Sequence, residues 1–112
     1  MAWSKRQEST TLELAEIELE GDLYYDAEQN ALCLVEPETG EDEILTVNML
    51  GAGYVAFPGE VFVRDYSEHS GLPAALVAVG VCEEVEKIST GPFGAGVSRM
   101  RVIETREQEE RA

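Results

Sequence analysis

The chain has 112 residues, 44% of them apolar, the size and composition of one globular domain with its own core rather than of a disordered segment. Its 23 acidic residues stand against 8 lysines and arginines, a formal net charge of -15. A surface so charged repels phosphate, which excludes direct binding of DNA, RNA or an anionic membrane.

Residues 1–10 are polar apart from Trp3 and read as a flexible lead-in; no secretion-signal pattern follows, and no run approaches the roughly 18 apolar residues of a membrane helix. Cys33 and Cys82 lack CxxC spacing, which leaves neither a disulfide framework nor a four-ligand zinc site; two buried thiols and a reducing, cytoplasmic setting are expected. Residues 11–20 admit two readings. Leu12, Leu14, Ile17 and Leu19 suit a half-buried strand with a bulge near Ala15, while Thr10 with Glu13 as a capping box and Gly21 as a stop suit a helix. The strand is preferred because Asp22-Leu23-Tyr24-Tyr25 continues in an extended style.

Asp26 to Asn30 form a turn, residues 31–36 a strand, residues 37–41 a second turn, and residues 44–47 another strand, together a β-meander. Leu32, Cys33, Leu34 and Val35, like Val61, Phe62 and Val63, are apolar on both strand faces and predict central strands covered on two sides. One helix is expected over residues 71–79: Ser70 serves as N-cap, and Leu72, Ala75, Leu76 and Val79 repeat at i, i+3, i+4, i+7. Pro73 falls in its first turn, Gly80 ends it, and Val81 is placed to touch Leu76. Strands at 81–86 and 97–103 follow; in the latter Met100 and Val102 point inward and Arg99 and Arg101 outward. The pattern predicts a small α+β domain over residues 11–103, a mainly antiparallel five- or six-stranded sheet with one short helix packed on a face. Residues 104–112 read as a charged tail.

Three segments invite a chemical reading. His69, the single histidine, sits among Asp65, Ser67, Glu68 and Ser70, types suited to a general base or a metal ligand, but also to a polar turn capping the helix that follows. The capping role is preferred. Gly91-Pro92-Phe93-Gly94-Ala95-Gly96 lacks the lysine and hydroxyl of a phosphate loop, which leaves a hairpin connection with Phe93 as an apolar anchor. The acidic turn from Glu36 to Glu43 lacks the ligand order of a calcium-binding loop and reads as a solvated tip. No catalytic, metal-binding or cofactor-binding residue is assigned.

After Lys5 and Arg6 no basic residue occurs until Arg64. The carboxylates between them, with Glu16, Glu18, Glu20, Asp22, Glu36, Glu38, Glu41, Asp42 and Glu43 as the candidate surface, lack local cations and should carry an uncompensated field. That field is useful to a binding protein if these groups converge on one patch and the late arginines do not fold back across it.

The run Val61-Phe62-Val63-Arg64-Asp65-Tyr66-Ser67-Glu68-His69-Ser70-Gly71, the Ala74 to Val81 segment and Ser89-Thr90-Gly91 resemble small uncharacterised accessory proteins of bacterial phages and conjugative elements. The likeness covers about residues 60–103 and departs at His69-Ser70, where more polar or acidic residues are expected. It implies a mobile-element setting and carries over no catalytic residue. With the acidic field, it leads to the expectation of a non-enzymatic, nucleic-acid-mimicking inhibitor of anti-CRISPR or anti-restriction type that binds a basic nucleic-acid-binding protein. The alternative is an accessory or assembly module whose charge serves only solubility.

Overall fold

Alternating side chains carry the start of the chain into two long antiparallel strands, β1 (Ser4–Glu13) and β2 (Glu18–Asp26). These belong to a computed structural model that describes residues 3–90 and 95–103. The break in phase between Leu14 and Ile17 is the turn joining the strands, closed by the Leu14 amide on the Ile17 carbonyl at 2.9 Å. Residues 11–20 are thus neither one bulged strand nor a helix. Residues 4–10, expected as a lead-in, are the first part of β1, whose bulges fall between Lys5 and Gln7 and between Gln7 and Thr10.

β3 (Ala31–Val35) and β4 (Asp42–Ile44) complete a four-stranded meander in the order β1-β2-β3-β4. Asp26, fully buried, closes the turn into β3. Its carboxylate accepts the Gln29 side-chain amide at 2.8 Å and the Glu28 and Gln29 backbone amides at 2.9 and 3.3 Å. These bonds, the Gln29 side chain first, hold the carboxyl below its usual range.

β5 (Glu60–Asp65), β6 (Cys82–Thr90) and β7 (Ala95–Val102) form a second sheet in the order β5-β7-β6. The expected α+β class and antiparallel pairing hold, but among the described residues the strands divide into two sheets of four and three instead of one of five or six. The division falls just after β4. Leu45 donates to Leu32 of β3, whereas Thr46 bridges Val63 and Val47 donates to Phe62, so one short segment leaves the first sheet and joins the second.

The helix α1 (Leu72–Ala78) begins one residue later than expected, because its N-cap is Gly71, not Ser70. Gly71 takes φ of 92°, a left-handed conformation that suits glycine. Its amide donates to Asp65 Oδ1 at 2.8 Å. At the other end Gly80 donates to the Val77 carbonyl and Val81 to the Leu76 carbonyl, the paired bonds of a Schellman ending.

Leu72, Ala75 and Leu76 of α1 pack with Leu12, Leu23, Leu32, Leu45, Val61, Val63 and Met100 in the main core, which joins both sheets. Removing each of these leucine, valine and methionine side chains from water contributes roughly 1.5–3 kcal/mol. A smaller cluster of Met49, Phe62, Ile88 and Val97 lies on the other face of the second sheet, where Val47, Tyr54 and Ala56 cover it. β5 is therefore covered on both faces. β3 is not: Leu32 and Leu34 face the core, while Cys33 and Val35 are on the outer face beside Trp3, Tyr24 and Asp42. Among the described residues no helix is long and apolar enough to cross a membrane.

Candidate functional site

β2 pairs with β3 only from Asp22 onward, so Glu18, Leu19 and Glu20 extend past the end of β3 with β1 alone beside them. The turn from β3 to β4 folds back next to that free stretch. It is fixed by the Glu36 amide on the Glu41 carbonyl and the Gly40 amide on the Glu36 carbonyl, both at 2.8 Å. Between the two runs a groove of about 550 Å³ is lined by Glu18, Glu20, Glu36, Glu41, Asp42 and Glu43, with Leu19 and Leu34 as its apolar part. Six of the nine candidate carboxylates are thus brought together by strand register.

The other candidates lie elsewhere. Glu16 is exposed in the β1–β2 turn and Glu38 at the tip of the β3–β4 turn, neither lining the groove. Asp22 is neutralised: its Oδ2 lies 3.5 Å from Lys5 Nζ, and its Oδ1 accepts the Ser9 amide at 2.9 Å across the bulge in β1. Phe93 falls outside the described residues.

Among the described residues no lysine or arginine pairs with a groove carboxylate. Arg101 pairs with Glu83 at 2.8 Å and Lys87 with Glu84 at 3.2 Å, both on the second sheet. Arg99 points outward as expected yet is buried, because the loop before β5 covers it. It donates to Glu60 at 2.7 Å, to Glu86 at 2.8 Å and to the Val55 carbonyl at 2.8 Å, and its guanidinium lies 4.9 Å from the Phe62 ring centre. The Glu60 and Glu86 carboxylates hold that guanidinium above its already high ordinary value. Lys87, Arg99 and Arg101 are thus paired on the second sheet and make no ion pair with the groove carboxylates.

One groove carboxylate has a partner of another kind. Glu43 Oε2 lies 2.6 Å from Nε2 of His69, whose side chain is buried in the turn before α1. His69 thus ties β4 of the first sheet to the segment leaving β5, while Asp65 caps Gly71 and the Ser70 carbonyl accepts the Ala15 amide at 2.9 Å. The cluster expected as a polar turn serves as a joint between hairpin, sheet and helix. Among the described residues no three His, Cys, Asp or Glu side chains are grouped so as to hold a metal ion.

A second depression, of about 260 Å³, adjoins the groove on the outer face of the first sheet and shares Asp42 with it. Trp3, Tyr24, Cys33 and Val35 supply the remaining walls. Burial, and then Asp42, push the Cys33 thiol up. Sequence reading missed this cleft because Trp3 lay in the presumed lead-in. The signal was available in the two-residue step that puts Trp3 and Lys5 on one face of a strand. Comparison with protein-family models, with curated proteins and with solved structures returned no match.

Proposed function

We propose that this protein is a non-enzymatic acidic binding protein whose groove takes the place of a nucleic-acid backbone in the basic cleft of a DNA- or RNA-binding protein. In a mobile-element setting it would act as an inhibitor of bacterial defence, of anti-CRISPR or anti-restriction type. The observation that carries the reading is the convergence of Glu18, Glu20, Glu36, Glu41, Asp42 and Glu43 on one groove without a lysine or arginine partner among the described residues. Clustered like charges raise the local potential and steer a cationic partner into contact, at the cost of mutual repulsion.

A second reading, an accessory or assembly module whose charge serves solubility, is favoured by the loop before β5, where Leu50, Val55 and Phe57 are 64%, 56% and 62% exposed. Affinity capture from bacterial lysate separates the two. Between about 0.01 M and 1 M salt the screening length falls from about 30 Å to 3 Å, so a mimic's partner is held at the low value and released at the high one. The partner should be a basic nucleic-acid-binding protein whose binding to DNA or RNA is blocked by the acidic protein that captures it. Lysine at Glu36, Glu41 and Asp42 should abolish both effects. Recovery of no such partner at low salt, or a partner indifferent to the three lysines, would overturn the mimic.

A further inference from the structure

The fold leaves the outer face of the first sheet without a covering element among the described residues. α1 packs against β1, β5 and β6, and its apolar residues belong to the inner core. On the outer face the register aligns Tyr24 with Cys33 and Val35 with Asp42, and Trp3 completes the cleft while remaining 37% exposed. At about 260 Å³ the cleft is smaller than the about 300–1,000 Å³ typical of a small-molecule site and suits a single long side chain. Its walls are aromatic and aliphatic, with a carboxylate, Asp42, at the rim it shares with the acidic groove.

We propose that this cleft seats an arginine side chain of the basic partner, stacked on Trp3 with its guanidinium against Asp42, while neighbouring basic residues occupy the groove. The proposal rests on the reading of the groove as a site for a basic protein, and adds to it a preference for arginine over lysine. A guanidinium is planar and weakly hydrated, lies flat on an aromatic ring and can meet a carboxylate through two parallel bonds; an ammonium does neither as well. Tyr24 already faces a cation in this way, with Lys5 Nζ 5.8 Å from its ring centre. Lys5 does not oppose a second cation, because Glu8 at 3.0 Å and Asp22 at 3.5 Å neutralise it.

Trp3 is the single tryptophan, so its emission reports directly on this cleft. The protein is titrated at low salt with a short peptide of alternating arginine and serine, and with its lysine counterpart, following Trp3 fluorescence and heat of binding. Both peptides should bind through the groove, the arginine peptide about two- to fivefold more tightly, as a single exposed cation–aromatic contact allows. The arginine peptide alone should change Trp3 emission, and by calorimetry Trp3→Leu or Asp42→Asn should erase the preference. An unchanged Trp3 emission overturns the cleft assignment whatever the affinities, and leaves the groove reading standing if both peptides bind and lysine at Glu36 and Glu41 removes them. Failure of both peptides to bind at low salt overturns both readings together.

Discussion

A Cβ built on Gly21 would stand 2.4 Å from the carbonyl oxygen of Val35, so the chain leaving β3 passes directly against the bare α-carbon of β2. This contact sets the distance between Glu18 and Glu20 on one side of the groove and the turn from Glu36 to Glu41 on the other. Since the obstructing atoms are backbone, Gly21→Ala cannot be accommodated by a rotamer change and should cost roughly 1–3 kcal/mol. Urea denaturation measures that loss, and the surviving folded fraction should bind the basic partner more weakly than the parent. An unchanged midpoint would mean that the crossing is looser than described.

Arg99 holds the second sheet's cover in place. Glu60 and Arg99 side chains are only 13% and 11% exposed, and the same guanidinium reaches the Val55 carbonyl. Arg99→Ala strands the Glu60 carboxylate and releases the loop, and should destabilise by roughly 3 kcal/mol. Arg99→Lys keeps the charge but not the fork that serves Glu60, Glu86 and Val55 together, so it should fall between the parent and the alanine variant. Limited proteolysis within residues 54–57, faster in the order parent, lysine, alanine, distinguishes loss of this tie from a uniform loss of stability.

These two contacts show where the sequence was legible and where it was not. The helix end was readable because Gly80 and Val81 act through local geometry. The acidic character of the groove was readable as well, since residues 7–63 contain no lysine or arginine. The β1–β2 turn was missed because Ala15-Glu16 has none of the residues that mark tight turns, and its phase slip imitates a bulge. The division into two sheets at Leu45 to Val47 depends on a segment that pairs with β3 and β5 in succession, a choice made by non-local partners. For the same reason Asp22, chemically indistinguishable from its neighbours in sequence, is spent on Lys5 and the Ser9 amide while Glu20 reaches the groove.

Cys82, 1% exposed beneath α1 and the second sheet's inner face, has its thiol pushed by burial from 9.0 up to about 12. The unfolded chain releases that proton near 9.0, whereas the folded chain keeps it to about 12. The contribution is full below the lower value and is lost progressively as pH rises toward the upper one. Melting temperature should therefore decline from about pH 9 to about pH 12, and Cys82→Ala, though less stable at the start, should decline less steeply over that range. In the native protein Cys82 should resist thiol reagents at about pH 8, because little thiolate forms. Equal slopes for the two proteins would remove Cys82 as a source of the alkaline loss.

The groove predicts an opposition between stability and binding. Glu18, Glu20, Glu36, Glu41 and Asp42 repel one another without a neutralising lysine or arginine among the described residues, so the folded chain should gain stability when the screening length drops from about 30 Å to about 8 Å. Replacing Glu41 with glutamine relieves part of the repulsion and should raise low-salt stability by about 0.2–1 kcal/mol, the scale of one exposed charge interaction, while flattening the response to salt. The same change should weaken capture of a basic partner, since a residue kept for binding need not serve the fold. A purely solubilising coat would behave differently: Glu41→Gln would leave partner affinity as it was. If Glu41→Gln were instead less stable at low salt than the parent, the carboxylates would have to be held by favourable contacts, and the uncompensated field on which the binding argument rests would be absent.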